Sequence, residues 1–96
     1  MAEMVKVSLT YTGQLAQEAG SKTETVAVEV GTPLRQLLAE YAQRQSERFR
    51  ELLFSDAQEL RKSILVAVDG TQIADPQKYA FDDDAEVLVM TPIAGG

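Results

Sequence analysis

The chain has 96 residues and a net charge of −6, from 15 acidic against 9 basic side chains. That is one domain's worth, and with 45% hydrophobic residues it can bury an ordinary core without covalent staples. It contains no cysteine and no histidine, which excludes disulfides, thiolate nucleophiles, iron–sulfur clusters, cysteine or histidine metal sites and any triad with an imidazole base.

An acidic surface repels phosphate backbones, so no nucleic-acid partner is expected. No apolar run approaches the ~20 residues of a membrane helix. The first residues, Met1 to Lys6, lack the basic start and apolar stretch of a secretory signal. The expectation is a cytoplasmic protein without a membrane partner, more suited to docking than to catalysis.

The elements follow in chain order. Val5, Val7 and Leu9 alternate with Lys6, Ser8 and Thr10, as in a half-buried strand. Thr12-Gly13 breaks the pattern, and the small polar stretch from Gln14 to Lys22 reads as a loop or an irregular turn around Leu15 and Ala19. Val26, Val28 and Val30 form a second alternating set, expected to face inward and to pair with the first strand. Gly31-Thr32-Pro33 is a helix-start signal, with Thr32 as cap and Pro33 at the first helical position. Leu34, Leu37, Leu38, Tyr41 and Ala42 then recur at helical spacing.

Helical character resumes after Gln45 through Phe49, Leu52 and Leu53. Ile64 to Val68 is rich in β-branched residues and runs into Asp69-Gly70, the dipeptide of a tight two-residue hairpin. Thr71 to Ile73 pairs back, and Ala74 to Tyr79 reads as loop. Phe81 plugs the core before the acidic turn Asp82-Asp83-Asp84. Glu86 to Thr91 is the last strand, stopped at Pro92, which has no N–H to donate.

Strand, strand, helix, strand, a minor partner and a final strand give an α+β order, with the helix covering one face of a single sheet. If the first and last strands lie parallel in the middle, the result is a β-grasp, or ubiquitin-like, mixed sheet. Periodicity alone does not choose it. The expected organisation is a domain over residues 1–92 and a flexible Gly-Gly tail over 93–96.

The tail carries the most information. Two terminal glycines arise by chance in about 0.5% of chains, taking glycine at ~7% per position. A frayed end is the plain explanation. The alternative has a physical reason: a tail without side chains can enter a narrow tunnel and leave its carboxyl carbon open to a nucleophile. Ile93 can supply one apolar anchor.

Other features have plainer readings. Asp82, Asp83 and Asp84 read as a solvated turn without the spacing of a calcium loop. Arg44, Arg48, Arg50, Arg61 and Lys62 are the one basic concentration, and Glu47, Glu51 and Glu59 beside them suggest ordinary helical pairing. Tyr41 and Phe49 read as core.

The ending Glu86-Val87-Leu88-Val89-Met90-Thr91-Pro92-Ile93-Ala94-Gly95-Gly96 resembles the MoaD/ThiS-like sulfur carriers, in particular the small subunit of molybdopterin synthase. Val5-Lys6-Val7, Gly31-Thr32-Pro33-Leu34 with Leu37-Leu38, Val66-Ala67-Val68-Asp69-Gly70 and the turn from Asp82 to Val87 are similar to that family in the same order. Two departures stand out. Met90 and Thr91 occupy positions where the family usually has an aromatic residue or Pro-Pro. The stretch from Gln45 to Lys62 is longer than thiazole-pathway carriers need and looks more like the molybdopterin type.

The resemblance implies a β-grasp fold and a carrier that is not catalytic alone. The Gly96 carboxylate would be adenylated by a ubiquitin-activating-type adenylyltransferase and converted to a thiocarboxylate by a sulfur donor. ATP, Mg²⁺ and zinc would belong to that enzyme, with no cofactor or metal held by this chain. Val89, Met90, Pro92, Ile93, Ala94 and Gly95 would contact the activating enzyme and the molybdopterin-synthase large subunit, or another sulfur-acceptor enzyme. The alternatives are a carrier for thiamine, cysteine or tRNA thiolation, and a ubiquitin-like modifier joined to lysines through Gly96.

Overall fold

The computed structural model describes residues 3–19 and 23–91. Strict alternation builds β1, Met4–Tyr11, in which Val5, Val7, Leu9 and Tyr11 are buried and the residues between them are more exposed. It pairs antiparallel with β2, Thr23–Glu29, and parallel with β5, Ala85–Met90. On the other side of β5 lie β3, Leu65–Val68, and β4, Thr71–Gln72, both joined by antiparallel pairing. The sheet order is β2-β1-β5-β3-β4. A parallel central pair in a mixed sheet with helices on one face is the α+β, ubiquitin-like β-grasp arrangement.

Three helices supply the covering layer: α1, Gly13–Ala19, α2, Leu34–Ala42, and α3, Glu47–Leu53. In α2 the buried positions are Leu34, Leu37, Leu38, Tyr41 and Ala42, as the spacing predicts. α3 buries Phe49 and Leu53. Tyr11, Tyr41 and Phe49 bring β1, α2 and α3 together, with Tyr11 and Phe49 edge-on at 5.2 Å and Tyr11 and Tyr41 stacked at 5.6 Å. Each such pair adds about 0.5–1.5 kcal/mol beyond its area burial.

Some expectations are corrected. The stretch after Gly13 is a helix and not a loop; its anchor is the fully buried Leu15. Val30 does not face inward but is 41% exposed, because β2 ends at Glu29 and Gly31 turns the chain with φ +93°. Thr32 does not cap α2 and Pro33 is not its first helical residue: the helix begins at Leu34, Pro33 holds the N-cap position without a side-chain cap bond, and the Thr32 hydroxyl donates to the Glu29 carbonyl at 2.7 Å. The start of α2 is served instead by the segment around Phe81: Leu34 N donates to Tyr79 O at 2.8 Å, and Gly31 N donates to Phe81 O at 2.7 Å. Within the expected loop from Ala74 to Tyr79, Pro76–Lys78 forms a turn of 3-10 helix.

The Asp69-Gly70 hairpin is as expected. Both residues have positive φ, 50° and 84°, the signature of a turn that matches the twist of its strands. Asp69 does more than turn, because its Oδ1 accepts from Glu86 N at 2.9 Å.

Candidate functional site at the exit of the last strand

β5 is the strand that leads into the tail, and it is paired on both edges. Its register places Glu86, Leu88 and Met90 opposite Ser8, Thr10 and the outer residues of β3, on the face that no helix covers. Val87 and Val89 point the other way, into the core. This corrects the expectation for Val89: its side chain is fully buried and has no surface to offer a partner. Met90 is half-buried on the open face, where a partner can reach it.

Met90 does not stand alone. It pairs across the ladder with Leu65, and Leu88 pairs with Ala67. Leu65 is 45% exposed, one of three large apolar side chains exposed among the described residues. These four residues make an apolar patch beside the point where the chain leaves the sheet. Next to it lies a neutral strip of hydroxyls, in which Ser8 faces Thr25 at 3.5 Å and Thr10 faces Thr23 at 3.2 Å. The patch and the hydroxyls carry no charge to desolvate on docking, and the Glu86 carboxylate lies on the same face, opposite Ser8. Sequence reasoning did not single out Leu65 or Leu88. Their alternation with Val66 and Val87 carried the signal, but it shows only once the register is known.

The acidic turn has a structural task. Asp84 Oδ1 accepts from Lys6 N at 2.8 Å, and Asp83 Oδ1 accepts from Asp84 N at 2.8 Å. The first bond serves an N–H at the start of the parallel ladder. The basic residues are also more structural than expected. Arg61 Nε donates to Glu51 O at 2.6 Å, so its guanidinium holds a backbone carbonyl where helical pairing is expected, and Arg35 likewise donates to Gln58 O at 2.5 Å. Among the described residues, no three acidic side chains converge as they would around a metal ion. No helix among them is long and apolar enough to cross a membrane.

At the strand's end, Thr12 N donates to Val89 O at 3.2 Å, and Thr91 Oγ1 donates to Thr12 O at 3.3 Å. Both backbone polar groups of Thr12 are thus committed to the end of β5. The remaining expected site residues, Pro92, Ile93, Ala94, Gly95 and Gly96, lie outside the described residues.

A family model described as the ThiS family matches residues 9–96. A search of curated proteins finds no match. Among solved structures, SAMP1 from Haloferax volcanii superposes with a TM-score of 0.81 at 24% identity, covering 95% of this chain and 99% of that one. Urm1 from Trypanosoma brucei gives 0.76 at 20% identity over 100% of both chains. These two establish the shared fold. A putative molybdopterin converting factor, subunit 1, from Pyrococcus furiosus gives 0.70 at 27% identity, covering 93% of this chain and 99% of that one. With nearly its whole length matched by the family model, the chain belongs to the ThiS family of ubiquitin-fold sulfur carriers.

Proposed function

We propose that this protein carries sulfur as a thiocarboxylate on Gly96 and delivers it in molybdopterin synthesis, in the cytoplasm. The observation that carries this reading is the family match, which runs through the Gly-Gly ending to Gly96. The similarity to the Pyrococcus furiosus protein, described as a putative molybdopterin converting factor subunit, supports the choice of pathway.

The chemistry needs little from this chain beyond a presented carboxylate. A Gly96 carboxylate oxygen attacks the α-phosphorus of ATP, the α–β anhydride bond breaks, and pyrophosphate leaves. A bisulfide equivalent then attacks the acyl carbon, AMP leaves, and the terminus becomes a thiocarboxylate. Mg²⁺ and ATP belong to the activating enzyme, and the carrier turns nothing over by itself. Its own contribution is to dock through the patch of Leu65, Ala67, Leu88 and Met90 while Pro92, Ile93, Ala94 and Gly95 thread the partner.

Intact-mass measurement of protein incubated with its activating enzyme, ATP and sulfide tests the carrier step. The expected result is exchange of one oxygen for sulfur, removed again by a molybdopterin-synthase large subunit supplied with its pterin precursor. Retention of sulfur in that second step overturns the pathway. A Gly-Gly remnant on lysines of other proteins, with no sulfur gained, would make the chain a modifier instead.

A further inference from the structure

Three described glycines have positive φ, yet they differ in surroundings. A Cβ added at Gly31 or at Gly70 would meet nothing within 4 Å. At Gly13, where φ is +61°, it would lie 2.6 Å from Thr91 Oγ1. Real Cβ atoms do not approach other atoms so closely. Gly13 therefore meets two needs at once: a left-handed backbone at the start of α1, and empty space into which the last residue before Pro92 settles. Gly31 and Gly70 meet only the first.

We propose that Thr12, Gly13 and Thr91 form a seat that fixes where the tail leaves the sheet, which makes Gly13 a positioning residue for the terminal carboxylate. Thr91 is held by hydrogen bonds and by its own covalent geometry. Its hydroxyl donates to Thr12 O, and the ladder bond from Thr12 N to Val89 O fixes the residues just before it. Its β-branched side chain has few rotamers, and the proline that follows confines it to extended backbone.

Placement at the root matters because the tail is short. From Pro92 to Gly96 there are five residues, with a reach of about 17 Å when fully extended. A chain threaded straight through a narrow partner has no slack, so a shift at its root reappears at its tip. Misplacement of a reacting atom by ~1 Å can cost about a hundredfold in rate. The seat acts through Gly96 and touches no reacting atom. Docking on the open face does not depend on it.

This inference rests on the sulfur-carrier reading, and its test keeps the two apart. Gly13→Ala, Thr91→Ala, the double variant and Gly31→Ala are assayed with the activating enzyme, ATP and sulfide, below the lowest melting temperature of the set. Gly31→Ala also carries positive-φ backbone strain, at φ +93°, but in open space and at the opposite end of β1 from Thr91. Gly13→Ala is expected to lose about ten- to a hundredfold in kcat with KM unchanged. Thr91→Ala should lose severalfold in kcat with an unchanged melting temperature. The double variant should match Thr91→Ala and not the sum of both losses, because the clash has been removed. Gly31→Ala should keep wild-type kcat.

Equal losses in Gly13→Ala and Gly31→Ala would overturn the seat, as would a folded Gly13→Ala with wild-type kcat. If Gly13→Ala does not fold, Thr91→Ala decides, and wild-type kcat there overturns the proposal. If the wild-type protein itself gains no sulfur, the carrier reading fails first and takes the seat with it.

Discussion

Ser46 links two helices that are far apart in sequence: its hydroxyl donates to Glu18 Oε1 at 3.1 Å while accepting from Phe49 N at 3.1 Å. One atom thus caps α3 and ties it to the end of α1. Removing an N-cap hydroxyl costs about 1 kcal/mol, and here the tie to Glu18 is lost with it. Ser46→Ala should lower the melting temperature by roughly 4–8 °C, the shift that ~1 kcal/mol produces in a domain of this size. An unchanged calorimetric midpoint would show that the cap contributes nothing.

Adjacent positions on β5 should respond in opposite ways. Met90→Asp places a carboxylate on the open face, where water reaches it, so the melt should stay close to wild type. Binding to the activating enzyme or the large subunit should weaken by about tenfold or more, as when a central apolar contact is removed. Val89→Asp puts the same group into a fully buried site, where an unpaired charge is too costly to keep. That variant should fail to fold. Titration calorimetry on the first and circular dichroism on the second check the pair.

Deleting Gly96 shortens the tail by one residue and draws the carboxylate back by about 3.5 Å. Adenylation should be lost. The melt should be unchanged, because the last core residue among the described ones is Val89. ATP–pyrophosphate exchange with the activating enzyme reads the first, and a thermal scan the second. Wild-type exchange from the shortened chain would mean that the position of the terminus is immaterial.

All three tyrosines hold their protons above the ordinary phenol value of 10.0. Burial comes first in each case; Tyr41 and Glu24 add to it at Tyr11, Glu24 at Tyr41 against the opposing pull of Arg44, and Asp82 and Asp69 at Tyr79. The unfolded chain ionises near 10.0, whereas the folded chain ionises higher. The contribution to stability is therefore complete below about pH 10 and fades as pH rises through the folded values. Urea midpoints should fall above pH 10, with Tyr11 the last to show tyrosinate absorbance. Among the described residues the buried Tyr11 hydroxyl has no hydrogen-bond partner. Tyr11→Phe should accordingly shift neutral-pH stability by less than about 1 kcal/mol and flatten the alkaline fall.

The elements with strong periodicity were legible in advance: β1, α2, the Asp69-Gly70 hairpin and the last strand. What was not legible depended on contacts between distant segments. α1 has one fully buried side chain, Leu15, and a glycine where a helix former would be expected. It is stabilised by packing and by the Ser46–Glu18 bond more than by its own propensity. Thr32 has the right chemistry for a cap, but it lies one residue before the N-cap position, which Pro33 takes. Assigning Val89 to a docking surface overlooked the two-residue period of its own strand. That period makes Val89 core and Met90 surface, with Leu65 across from Met90 completing the patch.

The central position of β5 also bears on mechanical load. Tension on the tail is transmitted along a strand that has five registered pairs with β1 on one side and four with β3 on the other. Ladder hydrogen bonds lie across the strand direction, so a pull along it loads them together in shear. Peeling β2 or β4 from an edge breaks them one after another. A captured terminus can therefore be tugged, and withdrawn from a tight channel, without unravelling the molecule that carries it.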